Sequence, residues 1–148
     1  MTTEHRRFFV MVLLAIALVP FLMLAVINGL GLRWNRSSSV PTGLWRVSSE
    51  PIRRGTYVML DEPIKEIAGM PGDRVTFTPG GVYINGRLWP DSAPKGPNHY
   101  PFGSIVLQSG EYLLMGRNPL SYDARYFGWT PATIISGMVQ PVWTSSTR

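Results

Sequence analysis

The chain has no cysteine. Disulfides and thiolate nucleophiles are therefore excluded. It has two histidines, His5 and His99, and His5 stands in a short tail ahead of an apolar run. So few imidazoles argue against a His-rich metal site and against a Ser-His-Asp triad, and no metal or cofactor is expected. Charge is also scarce, at 16% of residues, and the run from Phe8 to Leu32 carries none. The formal net charge is +5, but the basic residues are scattered apart from Arg6-Arg7 and Arg53-Arg54. They are not interleaved with aromatics, so no nucleic-acid partner is expected. After Leu32 no long amphipathic helical pattern occurs. What is abundant is turn chemistry, with 15 Gly and 13 Pro, which favours short strands joined by tight turns.

The uncharged run is long enough to matter. At 1.5 Å per residue, residues 8–32 would extend roughly 37 Å as a helix, enough to cross a hydrocarbon core of about 30 Å with tilt. Pro20 is tolerated in such a helix. The run is longer than the apolar part of a cleavable leader and no small-x-small site closes it, so a retained anchor is expected. Arg6-Arg7 on one side predicts a cytoplasmic tail over residues 1–7 and an extracytoplasmic domain over residues 33–148. Arg33-Trp34 would then mark the membrane interface, where an amphipathic indole sits well.

From Leu44 onward the pattern is that of strands. Leu44-Trp45-Arg46-Val47, Tyr57-Val58-Met59-Leu60 and Asp73-Arg74-Val75-Thr76-Phe77 are short and suited to a half-buried sheet. Pro79-Gly80-Gly81 should turn the chain into Val82-Tyr83-Ile84. Asn85-Gly86 then signals a type I′ hairpin, because both turn positions need positive φ. Arg87-Leu88-Trp89 would pair back, and Pro90 to Pro101 reads as a loop. Ser104 to Leu107 and Tyr112 to Met115 predict two further strands. The stretch from Thr133 to Trp143 predicts one or two closing strands. The expected fold is mainly β: a compact β domain behind one N-terminal transmembrane helix.

Three blocks carry chemistry. The first is Asn35-Arg36-Ser37-Ser38-Ser39-Val40-Pro41-Thr42-Gly43-Leu44, serines set beside a Pro and a Gly where the chain should leave the membrane. The second is Lys65 with Gly69-Met70-Pro71-Gly72-Asp73. A hydroxyl nucleophile needs a base. Lysine, with an ordinary pKa near 10.4, can act as one only where burial lowers that value. The neighbours Ile64, Ile67, Ala68 and Met70 are apolar and suit a strand whose lysine enters a dry site, while Glu66 would point to the opposite face. The third block runs from Gly116 to Gly128. In it Asp123 and Arg125 could pair, and Ser121 could bond a buried amine.

These three blocks, in this order, resemble the signal peptidase I superfamily of membrane-anchored Ser-Lys proteases. The Asn35 to Leu44 form is more similar to its conjugative-transfer branch, the TraF-type pilin peptidases. The resemblance implies a signal-peptidase-like β domain in which Ser39 attacks the scissile carbonyl and neutral Lys65 takes its proton. It further implies that Ser37 and the Ser39 N–H donate to the oxyanion, that Ser121 orients the amine, and that Asp123 and Arg125 hold the last loop. The choice of Ser39 rests on the Ser-x-Pro register of the transfer branch; the general peptidases space Ser and Pro one residue wider, which points to Ser38. The chain departs from the general pattern in three places. Arg117 stands where those peptidases often carry Asp, Ala124 where they often carry Ser, and Lys65 is followed by Glu66 rather than a basic residue.

The resemblance implies an endopeptidase of the bacterial cytoplasmic membrane, with its catalytic domain periplasmic or otherwise extracytoplasmic. Its partners would be the lipid bilayer and a membrane-associated precursor, a conjugative pilin processed by cleavage or by cleavage with cyclisation. Two alternatives stand beside it. One is a general type I signal peptidase acting on many preproteins. The other is a non-enzymatic, membrane-anchored scaffold of a secretion complex.

Overall fold

The computed structural model describes residues 3–61 and 63–145. The chain divides into two compact units, Met1–Arg33 and Trp34–Arg148. The first holds helix α1, Thr3–Gly29, with Pro20 inside it. Its mean hydropathy reaches 3.1, so by length and composition it can cross a membrane. Its large apolar side chains are exposed from Phe8 to Val26, as expected of a helix whose solvent is lipid.

The strands are β1 (Leu32–Asn35), β2 (Gly43–Ser48), β3 (Tyr57–Met59), β4 (Ile64–Gly69), β5 (Arg74–Thr78), β6 (Gly81–Ile84), β7 (Arg87–Leu88), β8 (Gly103–Val106), β9 (Glu111–Met115), β10 (Thr130–Pro131) and β11 (Gly137–Thr144). They form a seven-stranded sheet ordered β1-β2-β11-β3-β4-β9-β10 and a four-stranded sheet ordered β7-β6-β5-β8. The protein is mainly β, as the turn-rich composition leads one to expect. The Asn85-Gly86 hairpin forms with φ of 50° and 80° at its two turn residues, joining β6 to β7.

The structure departs from the sequence expectation in three places. Leu32 to Asn35 is a strand, and its Asn35 end is buried. Thr133-Ile134-Ile135, β-branched and strand-like, instead follows Pro131 through a 3-10 turn over Ala132–Ile134, and β11 begins only at Gly137. Residues Ala124–Phe127 form one helical turn, α2, because the Asp123 side chain accepts the Arg125 N–H as an N-cap.

Strand β4 is the centre of the domain. Every residue in it is buried. It pairs antiparallel with β3, placing Val58 opposite Lys65 and Tyr57 opposite Glu66. On its other edge it pairs with β9, with a register shift between Ile67 and Gly69. Apolar side chains from β4 and β9 pack against the four-stranded sheet, with Ala68, Leu113 and Met115 meeting Val75, Phe77, Val82 and Ile84. A second cluster of Val40, Trp45, Ile64 and Val139 lies beside the serine block. A third, of Val58, Ile67, Leu114 and Met138, covers the flank of β4 that bears Lys65. Burial of this many aliphatic side chains is the dominant stabilisation.

Candidate active site

The turn between β1 and β2 carries the serines. Asn35 shapes it. Its Oδ1 accepts the Ser37 N–H at 3.0 Å, and its Nδ2 donates to the carbonyls of Ser37, Val40 and Pro41 at 3.0, 3.4 and 3.1 Å. An Asn that bonds the backbone two residues on is an Asx turn, and here the same side chain ties both ends of the loop. The indole N–H of Trp45 donates to the Pro41 carbonyl at 3.2 Å. Within this turn Ser39 and Val40 are buried, Ser37 is half-buried and Ser38 is exposed.

Ser39, Lys65 and Ser121 meet. Lys65 Nζ lies 2.7 Å from Ser39 Oγ and 2.7 Å from Ser121 Oγ, and Ser121 Oγ donates to Ser39 Oγ at 2.9 Å. All three residues are buried, Lys65 with 1% of its surface exposed. They come from segments 26, 56 and 82 positions apart in pairs, so the fold rather than the local chain assembles them. Ser38 takes no part in this cluster.

Burial lowers the Lys65 pKa, from 10.5 to about 8. The Asp123 carboxylate works against that by favouring the ammonium, and the Arg125 guanidinium works with it. The site therefore contains a hydroxyl hydrogen-bonded to an amine that is partly neutral near neutral pH, the arrangement that activates a serine. The Ser39 N–H donates to Ser37 Oγ at 3.2 Å. Of the two groups expected to bind an oxyanion, the N–H is thus directed at the hydroxyl of the other and would have to turn from it to reach a substrate oxygen.

The floor of the site is the Gly116 to Arg125 segment. Asp123 and Arg125 form an ion pair at 2.6 Å with 0% and 1% of their side chains exposed. The guanidinium also donates to the carbonyls of Asp91, Pro119 and Asn118. Asp123 Oδ2 accepts the Gly116 N–H at 2.7 Å. Gly116 is glycine for want of space: a Cβ there would lie 2.1 Å from Ser121 Oγ. The Arg117 N–H donates to the Ser39 carbonyl at 2.7 Å.

The block after Lys65 is structural. Gly72 takes φ of +90°, and Asp73 locks the turn through the Met70 N–H and Asn85 Nδ2 at 2.6 and 2.7 Å and an ion pair with Arg54. Burial would raise the Asp73 pKa, but these bonds and the Arg54 charge hold it below the usual carboxylate value. Asn35 heads the serine block in the sequence, but its role as the tie of the loop is visible only here. In the sequence Glu66 and Arg117 are two separate departures from the general pattern. They are joined: Arg117 donates to the Glu66 carboxylate through Nε at 2.7 Å and Nη2 at 2.8 Å. Among the described residues no cluster of His, Asp or Glu could hold a metal ion.

Comparison with known proteins adds an independent line. The family described as "Signal peptidase, peptidase S26" matches residues 5–144. The chain is 30% identical to the conjugal transfer protein TraF of Agrobacterium tumefaciens, over 95% of this chain and 98% of that protein. It is 30% identical to the plasmid transfer protein TraF of Escherichia coli, over 77% of this chain and 84% of the relative. A probable signal peptidase I-2 from Synechocystis is 36% identical over 52% of this chain, a match spanning only 36% of that longer protein. A crystal structure of signal peptidase I from Enterococcus faecalis aligns with a TM-score of 0.42 at 21% identity, covering 62% of this chain and 98% of that one.

Proposed function

The chain belongs to the signal peptidase family, peptidase S26, and from that premise we propose that it is a Ser-Lys endopeptidase that matures a conjugative pilin. The observation that carries the mechanism is the 2.7 Å contact between Ser39 Oγ and Lys65 Nζ in a buried site. Ser39 Oγ attacks the scissile carbonyl while neutral Lys65 takes the hydroxyl proton; Lys65 then returns that proton to the leaving amine. Water, or an amine from the precursor itself, releases the acyl group. Ser121 holds the lysine amine on the nucleophile, and the Ser39 N–H and Ser37 hydroxyl receive the developing oxyanion. Asp123 and Arg125 keep the Ser121 loop in place.

Matches to two transfer proteins, one of them over nearly the whole of both chains, support a conjugative pilin as substrate over a general preprotein. Family membership together with the apolar α1 makes this a membrane-anchored protein. We assign the tail of residues 1–7 to the cytoplasm and residues 33–148 to the extracytoplasmic side of the bacterial inner membrane, on the strength of Arg6-Arg7. Such an anchor would hold the enzyme where its precursor is also embedded.

The test is co-expression with a pilin precursor from a transfer region, followed by intact-mass analysis. Wild type should shorten the precursor at one peptide bond, and the loss of one further water would mark ring closure. Ser39→Ala and Lys65→Arg should leave it untouched, since a guanidinium stays charged and accepts no proton. A precursor cut equally by Lys65→Arg would refute the Ser-Lys mechanism. Rescue of a cell depleted of its own signal peptidase would instead favour the general peptidase.

A further inference from the structure

Lys65 and Glu66 are consecutive on β4, on opposite faces, and both lead to Ser39 by separate routes. Lys65 touches the Ser39 hydroxyl. Glu66 reaches the backbone of the same residue through Arg117. Its buried carboxylate grips the Arg117 guanidinium at two points, and the Arg117 N–H donates to the Ser39 carbonyl at 2.7 Å. The guanidinium also lies over the Trp89 ring, 5.1 Å from its centroid, while the Trp89 indole N–H donates to the Gly116 carbonyl at 3.4 Å. The Gly116-Arg117 peptide is thus held by Asp123, Trp89 and Glu66 at once, and Ser39 hangs from it.

We propose that Glu66 is a positioning residue: by clamping Arg117 it fixes the Ser39 carbonyl, and so the separation between the Ser39 hydroxyl and the Lys65 amine. The proposal rests on the assignment of Ser39 as nucleophile and Lys65 as base. Two features favour positioning over bulk stability. The Arg117 side chain is 55% exposed while that of Glu66 is 5% exposed, and an ion pair with one member half in solvent adds little to folding. Bidentate geometry, by contrast, fixes orientation. The two departures from the general peptidase pattern are also the two ends of one bond.

The experiment measures acylation of the full-length chain in detergent by a p-nitrophenyl acyl ester. The burst of nitrophenolate counts competent sites and gives their rate. Glu66→Gln should slow the burst at saturating ester by about tenfold or more, with the half-saturating concentration unchanged. The midpoint of the ascending pH limb should stay close to that of wild type, because burial, Asp123 and Arg125 dominate the Lys65 pKa. The exchanged pair Glu66→Arg with Arg117→Asp should recover most of the rate. A Glu66→Gln protein that melts earlier but reacts at the wild-type rate per competent site would overturn the proposal, as would a folded exchanged pair no faster than Glu66→Gln. Ser39→Ala, run alongside, should give no burst. If it does react, the nucleophile assignment falls and this proposal with it, whereas a silent Ser39→Ala beside a fast Glu66→Gln overturns the positioning role alone.

Discussion

Replacing Lys65 with Met tests the proposed base through folding instead of catalysis. Methionine keeps the volume and removes the titrating amine. Burial holds the Lys65 pKa down, from 10.5 to about 8. At about 1.4 kcal/mol per pKa unit, the folded protein disfavours the charged amine by about 3 kcal/mol. Below pH 8 the native and unfolded chains both carry the proton, and the wild type bears the whole penalty. Between pH 8 and 10.5 only the unfolded chain holds it, so wild-type stability rises with pH; above 10.5 both states are neutral. Lys65→Met lacks this dependence. The loss of two hydrogen bonds to Ser39 and Ser121 adds an offset that does not vary with pH, and groups such as Tyr57 titrate in both proteins and cancel. The unfolding free energy of Lys65→Met minus that of wild type should therefore fall by about 3 kcal/mol across this interval. Urea unfolding of the full chain in detergent, followed by tryptophan fluorescence, measures it. The acylation rate of wild type should have its ascending midpoint at the same pH, about 8. A stability difference that stays flat across the interval would show that Lys65 keeps an ordinary pKa, and a lysine of that kind is not a general base at neutral pH.

Other outcomes follow from the same geometry. Ser39→Ala should abolish processing and leave the protein folded, while Ser38→Ala, altering an exposed hydroxyl, should retain most activity; precursor cleavage followed by mass analysis distinguishes them. Gly116→Ala puts a methyl 2.1 Å from Ser121 Oγ, so it should cost about 1 to 3 kcal/mol of stability by overpacking and, by displacing Ser121, about a hundredfold in acylation rate. Asp123→Asn leaves Arg125 unpaired in a dry site and should lower the unfolding free energy by about 3 to 5 kcal/mol. Because Asp123 raises the Lys65 pKa and Arg125 lowers it, the ascending limb of whatever activity survives should move below the wild-type midpoint. A reporter active only outside the cytoplasm, fused after Arg148, should be active; a silent fusion would overturn the orientation.

Much of this architecture could be read from local chemistry. Asn85-Gly86 demands positive φ at two adjacent positions, so its hairpin needs no tertiary information. Lys65 among aliphatic residues reads as a buried strand, and β4 is one. Asp123 and Arg125 are two residues apart, close enough for their pairing to be foreseen. What could not be read depends on contacts distant in sequence or on elements too short to have a period. Glu66 and Arg117 are 51 positions apart, and each alone looks like a deviation. β1 has four residues and α2 has four, below the length at which apolar spacing identifies an element. Thr133 to Ile135 has strand composition, but that preference is weak against the turn its place in the chain requires.

The position of β11 has a consequence for how the dyad is held together. It lies between β2 and β3 in the sheet, bonded to both. Ser39 is delivered just ahead of β2, and Lys65 on β4 just beyond β3. Within the sheet, β11 therefore joins the half that supplies the serine to the half that supplies the lysine. The Arg117 N–H, just past β9, adds a second tie by bonding the Ser39 carbonyl directly. The two reacting side chains are thus linked by a ladder of strand pairs on one side and by a single hydrogen bond on the other.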